Sequence, residues 1–148
     1  MPKKETMDIS YTDIMETCKD LALYEAGRLR DGGGASMYDE VQISEQDEPQ
    51  MELYIGAGAA ELVRQLVYLT EESSIGNGRV QIDFIEESSR TLPTVDTMVH
   101  AIASLAMQRW LQDKDTARSE AYGLIAANMV AAVKRSITRK RPKLSKLM

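Results

Sequence analysis

Apolar residues recur every three or four positions in one stretch of the sequence, and this pattern constrains the fold more than any other feature. The residues at this spacing are Val95, Met98, Val99, Ile102, Leu105, Ala106 and Trp110. Such a period is typical of a helix that buries one face in a core. Pro93 or Thr94 begins this helix, and Asp96 lies in its first turn, where the helix dipole favours a negative charge. The sequence therefore predicts a core helix over residues 93–110.

A narrower apolar stripe predicts an earlier helix that begins after Ser10. The Ser10 hydroxyl can accept a hydrogen bond from a backbone N–H three residues on, and Asp13 completes a pattern similar to a capping box. The stripe consists of Ile14, Cys18, Leu21, Ala22 and Glu25. We expect the three glycines at 32–34 to end this helix and to act as a flexible joint.

A third helix is predicted between Ser44 or Asp47 and about Leu69, with Pro49 in its first turn, where a missing N–H costs little. Its apolar stripe is Leu53 or Ile55, Ala59, Leu62, Val63, Leu66 and Val67. Gly56 and Gly58 lie inside it, although each glycine costs about 1 kcal/mol relative to alanine in a helix. We therefore expect these glycines to permit close approach by a neighbouring helix.

The last predicted helix follows a short break at Asp113, Lys114 and Asp115. Its expected inward face is Ala117, Ala121, Leu124, Ile125, Asn128 and Ala131 or Ala132. Short connections of this kind place successive helices antiparallel. Pro142 prevents regular helix beyond it, so we expect the final residues to be extended or disordered until they are bound.

Two short segments show the alternation expected of strands. Residues 37–43 alternate loosely, and residues 79–85 alternate better, with Val80, Ile82 and Phe84 on one face after a turn at Gly76, Asn77 and Gly78. We predict that these two strands pair. The predicted fold class is therefore mainly α: a four-helix bundle-like domain with a small two-stranded β element and a basic C-terminal arm.

The charges are unevenly distributed along the chain, whose net charge is −5. Residues 134–148 contain seven basic and no acidic residues, while the other 133 residues carry 11 Lys and Arg and all 23 Asp and Glu, a net charge of −12. Seven of these acids occur between positions 31 and 52 without a base: Asp31, Asp39, Glu40, Glu45, Asp47, Glu48 and Glu52. We predict a helical domain at 1–133, with a flexible acidic loop at about 31–47, and a basic helix end and arm at 134–148.

The sequence offers little for catalysis, cofactor binding or metal binding. One histidine, His100, and one cysteine, Cys18, cannot supply a zinc tetrad, and nothing in the sequence brings them together as a catalytic pair. We interpret His100 as a surface or packing residue and Cys18 as a buried structural one. The Gly-rich segments lack the residues of a dinucleotide fingerprint or a phosphate loop. We assign no catalytic, cofactor-binding or metal-ligating residues, and we predict that the protein is not an enzyme.

The first residues lack the apolar stretch of a secretory signal, and no apolar run approaches a membrane span. These features predict synthesis in a reducing intracellular compartment and no insertion into a membrane.

The basic tail is the one segment that indicates binding to a partner. Its predicted partner-binding residues are Lys134, Arg135, Arg139, Lys140, Arg141, Lys143, Leu144, Lys146 and Leu147. One interpretation is a solubilising, frayed end, and another is an arm that docks on an acidic protein surface or on phosphates. Nucleic acid would attract its charges, but the tail has no aromatic residue for base stacking and the rest of the chain is acidic. An acidic protein groove is therefore the preferred partner.

The order of these parts resembles the small helical head-tail connector, or adaptor, proteins of tailed bacteriophages. The resemblance is carried by MELYIGAGAAELVRQL at 51–66, a short strand region, PTVDTMVHAIASLAMQRW at 93–110, a final helix and a protruding terminal arm. These patterns cover about two-thirds of the chain. The first helix and the triple-glycine loop are departures from the family pattern.

The resemblance implies a virion structural protein at the head-tail junction, made in the host cytoplasm. Such a protein forms a homo-oligomeric ring, most often of twelve copies, between the portal protein and a stopper or tail protein, without a cofactor. DNA would pass through it without specific binding. The acidic segment at 31–52 would face either a neighbouring subunit or the DNA channel, where it would repel phosphates. The arm from Lys134 would reach the portal.

Two other classes remain open from the sequence. One is a bacterial helical regulator or nucleic-acid-binding protein that uses the basic tail, which would bind DNA with a strong salt dependence. The other is a helical domain that binds a small molecule or assists an enzyme, which would contain an apolar pocket between helices.

Overall fold

The computed structural model describes residues 4–67, 70–85 and 93–138. In chain order, the elements are strand β1 (Lys4–Ser10), helix α1 (Tyr11–Ala26), a short helix α2 (Tyr38–Val41), a 3₁₀ turn (Glu45–Asp47), helix α3 (Glu48–Gln65), strands β2 (Thr70–Gly76) and β3 (Arg79–Ile85), and helices α4 (Val95–Leu111) and α5 (Thr116–Thr138). The prediction of a mainly helical chain is thus confirmed.

Helix α4 is the centre of the core. The N–H of Thr97 donates to the Thr94 hydroxyl at 3.1 Å, so the predicted helix start is confirmed. Nearly every turn of α4 is buried, and α1, α3 and α5 all pack against it. Three helices around a central one bury α4 on several sides, whereas a regular four-helix bundle leaves one face of each helix in solvent. The expectation of such a bundle is not confirmed.

The sheet has three antiparallel strands in the order β1-β3-β2. The predicted strand at Arg79–Ile85 is therefore correct, and its inward residues Val80, Ile82 and Phe84 are all fully buried. Asn77 and Gly78 both have positive φ (54° and 74°), the conformation that a tight two-residue hairpin requires. The predicted turn thus joins β2 to β3.

The prediction of a strand at 37–43 is wrong. This segment contains α2, and β3 pairs instead with β1 and β2. Val41 is fully buried, and its carbonyl oxygen accepts a hydrogen bond of 2.8 Å from Nε1 of Trp110. The sequence V-Q-I occurs both here, at 41–43, and in β3, at 80–82. The two copies do not pair, because the hydrogen bond from Trp110 holds the backbone at Val41 against α4. The predicted two-stranded element is therefore replaced by the three-stranded sheet.

The start of α1 is confirmed, but its predicted end at 32–34 is wrong. Ser10 accepts from the N–H of Asp13 at 3.2 Å, and the helix ends at Ala26. The chain then forms a closed loop in which the Asp31 carboxylate accepts from the N–H groups of Gly33 (2.8 Å) and Ala35 (2.9 Å). Gly34 has a φ of +83°, which favours glycine there. The flexibility expected of 31–47 stays a prediction.

Helix α3 approaches α4 closely at Gly58, as the sequence indicated. A Cβ atom on Gly58 would lie 3.1 Å from Cβ of Leu105 and 3.2 Å from the carbonyl oxygen of Ile102. Gly56 has a different environment, since the same added atom would meet only the Tyr11 hydroxyl, at 3.1 Å. Gly58 therefore faces the backbone of α4, whereas Gly56 faces the end of the Tyr11 side chain.

This difference predicts opposite effects of two matched substitutions. Gly56→Ala should stabilise the protein by up to about 1 kcal/mol, because alanine favours a helix and the Tyr11 hydroxyl can turn away. Gly58→Ala gains the same preference but crowds the α4 backbone, which typically costs about 1 to 3 kcal/mol, so a net loss of about 1 kcal/mol is expected. Urea denaturation of both variants would check this, and equal midpoints would contradict the close approach.

Candidate interaction surface

The structure describes two of the nine residues predicted to bind a partner. Lys134 and Arg135 lie on α5, which continues to Thr138, so the segment begins as regular helix. Nζ of Lys134 donates to Oε1 of Gln65 on α3 at 2.9 Å, while Arg135 is exposed. The other predicted residues, Arg139, Lys140, Arg141, Lys143, Leu144, Lys146 and Leu147, lie outside the described residues.

The predicted inward face of α5 is wrong. The buried residues are Ser119, Tyr122, Ala126, Val130 and Val133, which recur every three or four positions. Leu124 is 65% exposed, and Ile125 is also exposed. The buried residues also have helical spacing in the sequence, as the predicted face does. The sequence favoured the predicted face because it carries larger apolar side chains. As a result, α5 presents large apolar side chains to solvent.

A groove lies between α3, α4 and α5, and we call it the α5 groove. Its volume is about 570 Å³, within the range of pockets that hold ligands. The lining residues are Glu61, Gln65, Leu105, Gln108, Glu120, Gly123, Leu124, Ala126, Ala127, Val130, Ala131 and Lys134. Its apolar residues come mostly from α5. The sequence did not predict this groove, because the apolar pattern assigned the wrong face of α5 to the core.

Gln108 lies in the α5 groove opposite Gly123. A Cβ atom on Gly123 would lie 2.7 Å from Nε2 of Gln108, so the glycine makes room for this side chain. Gln108 also lines an adjoining depression of about 400 Å³, which shares Glu61 and Glu120 with the groove. Its side-chain amide makes no hydrogen bond to another residue in the described part of the chain. The amide can therefore form hydrogen bonds with the backbone of a peptide bound in the groove.

The two acidic residues of the α5 groove differ in their partners. Glu61 is close to Nη2 of Arg109 at 3.4 Å and to Nη2 of Arg64 at 4.0 Å. Glu120 is exposed and forms no ion pair with the residues that the structure describes. Glu120 is hence the carboxylate in the groove that can take up a new cation without losing an old one.

A buried ion pair holds α5 against α1. Glu25 is 1% exposed, and its carboxylate accepts from Nε of Arg118 at 2.9 Å and from Nη2 at 2.7 Å. The Tyr122 hydroxyl also donates to it, at 3.3 Å. Burial, followed by the charge of Glu25, raises the pKa of Tyr122 to about 12. This bidentate contact anchors the first turn of α5 to α1, while α5 packs mainly against α4.

The acidic segment at 31–52 is largely exposed. Asp39, Glu40, Glu45 and Glu52 are exposed, while Glu48 is half-buried and pairs with Nζ of Lys19 at 3.3 Å. Most carboxylates of this segment are therefore exposed and can attract or repel a charged molecule that approaches this side of the protein.

Cys18 and His100 occupy the kinds of environment that the sequence predicted. Cys18 is fully buried on α1, with Sγ 3.9 Å from the carbonyl oxygen of Ala103, and burial raises the pKa of its thiol to about 12. The His100 side chain is 47% exposed on α4, with Nε2 3.6 Å from Asp96 Oδ1. One side chain is in the core and the other is at the surface, so the structure does not bring them together as a nucleophile and a base.

The burial of Cys18 predicts a thiol that is inert in the native state. A thiol reagent at pH 8 should label it only after urea unfolds the chain, because the thiolate is the reactive form. The unfolded thiol loses its proton near pH 9 and the native one only near pH 12, so stability should fall as the pH rises between these values, by up to about 1.4 kcal/mol per unit. Cys18→Ala should reduce that slope. Rapid labelling of the folded protein would contradict the burial.

Among residues 4–67, 70–85 and 93–138, no three His, Cys, Asp or Glu side chains are grouped so as to hold a metal ion. None of the helices in these ranges is both long and apolar enough to span a membrane.

Comparisons with protein-family models, with curated proteins and with solved structures find no match to this chain.

Proposed function

We propose that this protein is a non-enzymatic virion structural protein, a head-tail connector that forms a ring between the portal and the tail components. The two segments that carry the resemblance to this family, 51–66 and 93–110, form α3 and α4. These helices pack side by side, with Gly58 at their contact. In this proposal, α1, α3, α4 and α5 act as one bundle-like unit, and the basic arm protrudes from α5.

The observation that carries the proposal is the open side of α5. Leu124 lines the α5 groove and is 65% exposed, and Ile125, the next residue of α5, is exposed as well. Large apolar side chains exposed at a groove are a feature of protein-protein contact sites. The groove and the basic arm are different surfaces of one subunit. A contact between different surfaces is heterologous, and heterologous contacts close into a ring when the rotation between successive copies completes a circle.

The charge distribution supports a passage for DNA. The exposed acids at 31–52 would repel phosphates if they lined the ring, so DNA would slide without being held. The basic residues at 134–148 lie at the other end of the chain, where they would contact an acidic protein partner instead.

The nucleic-acid-binding alternative rests on the same seven basic residues. It predicts that removal of 139–148 abolishes DNA binding and that affinity falls steeply with added salt. Fluorescence anisotropy with a labelled DNA duplex at two salt concentrations would detect this. The connector proposal predicts weak binding that is equal for all sequences.

Light scattering tests the connector proposal. The protein would be measured alone and after co-expression with candidate portal and stopper proteins. We expect a mass of many copies in at least one mixture, whether or not the free protein is a monomer, because a ring of this kind can form on a template. A monomer in every mixture would contradict the proposal.

A further inference from the structure

The α5 groove and the tail at 139–148 are complementary in chemistry. The groove combines apolar residues, such as Leu124 and Val130, with the carboxylates of Glu61 and Glu120, while Lys134 lies at its other end. The tail combines Leu144 and Leu147 with five basic residues and no acid. Apolar anchors can therefore be buried in the groove while the cations meet Glu120, which has no ion pair among the described residues.

The tail also matches the α5 groove in length and spacing. The groove follows α5 from Glu120 to Lys134, which is about 21 Å at the rise of a helix. Ten residues span up to about 33 Å when extended, so the tail can cover the groove from end to end. Leu144 and Leu147 are three residues apart, a spacing that places both on one side of a helical turn or a polyproline II segment. The Gln108 amide can bond the backbone between such anchors.

Chain direction favours the tail of another copy over the chain's own. To return along α5, the chain would have to reverse directly after Thr138. The tail of a neighbour can instead enter from the opposite end, where Glu61 and Glu120 lie.

We propose that the α5 groove binds residues 139–148 of a neighbouring copy of this chain, so that each subunit holds the next by its tail. This inference rests on the proposed function and deepens it, because it names the partner of the basic arm. Since groove and tail are different surfaces, the contact repeats head to tail, and in the proposed connector this repeat closes into a ring.

Disulfide trapping in the full-length protein tests this contact. Ser145→Cys places a thiol in the tail and Ala127→Cys places one in the α5 groove, where Ala127 is exposed. The two variants would carry tags of different size, and they would be mixed, assembled and oxidised. We expect covalent dimers that contain one chain of each kind. Ser73→Cys on β2, also exposed but away from the groove, is the control that should not be trapped.

A second pair of variants tests the apolar part of the contact. Leu124→Lys in the α5 groove should reduce the trapped dimer several-fold, while Leu53→Lys on α3 should leave it unchanged. Leu124 and Leu53 are 65% and 68% exposed, so neither change should disturb the core.

Three outcomes of these experiments would each contradict one or both proposals. Trapping only within single chains, measured in a Ser145→Cys/Ala127→Cys double variant, would overturn the exchange between copies. Multi-subunit assemblies by light scattering without any trapped dimer would overturn the tail-groove contact and leave the proposed function standing. The absence of any assembly would contradict both.

Discussion

Replacing Phe84 with alanine should destabilise the protein by about 3 to 5 kcal/mol, the largest effect that we expect of a single change. Phe84 is the only phenylalanine, is fully buried, and lies on the inner face of β3 with Val80 and Ile82. Its removal would leave a cavity in the core behind the central strand of the sheet, a cost that adds to the lost burial of the ring. Urea denaturation followed by circular dichroism measures this loss.

The control for Phe84→Ala is Gln81→Ala on the same strand. Gln81 is exposed on the opposite face of β3, so its substitution should change the free energy of unfolding by no more than about 0.5 kcal/mol. Similar midpoints for the two variants would show that the sheet does not pack on the helices as described.

Replacing Arg118 with leucine should cost about 3 kcal/mol, because it leaves the Glu25 carboxylate buried without its cation. This is near the lower end of the range for breaking a buried pair, since the Arg118 side chain is itself about one-third exposed. Glu25→Leu should cost less, because the guanidinium that it leaves behind can reach water.

A double-mutant cycle completes this test. The Glu25→Leu/Arg118→Leu variant should be more stable than Arg118→Leu alone, since no buried charge remains unpaired. Additive losses from the two single changes would contradict a direct interaction between these side chains. The Arg118→Leu variant should also alter the α5 groove near Glu120, because this pair anchors the first turn of α5 to α1.

The long helices were predictable because their signals are local. Ser10 and Thr94 accept hydrogen bonds at the starts of α1 and α4, and Pro49 lies at the start of α3, so short stretches of sequence were enough to locate these ends. The turn at Asn77 and Gly78 is equally local, since few other residues adopt positive φ there.

The rest of the sheet was not predictable from local signals. Strand β2 is almost entirely polar, and β1 contributes only Met7 and Ile9 as alternating apolar residues. Both strands exist through their pairing with β3, which lies far from β1 in the sequence. The segment at 37–43 shows the reverse case, in which a contact from Trp110 overrides a strand-like pattern.

Prediction of the candidate site depended on which face of α5 is turned toward the core. Both faces of α5 carry apolar residues at helical spacing, and the sequence alone favoured the face with Leu124 and Ile125. In the structure, the other face, with Tyr122 and Ala126, is buried where α5 packs against α4. Two faces with similar spacing could not be told apart from the sequence, because the contacts that decide between them, such as the pair between Glu25 and Arg118, which are 93 positions apart, are long-range.

The central claim is that copies of this chain assemble into a closed ring on a portal. Electron microscopy of the full-length protein, co-expressed with a candidate portal protein, tests this claim most directly. Class averages should show a ring with a single rotational symmetry seated on one end of the portal. A portal that carries no added density, while the chain purifies separately as a monomer, would contradict the account.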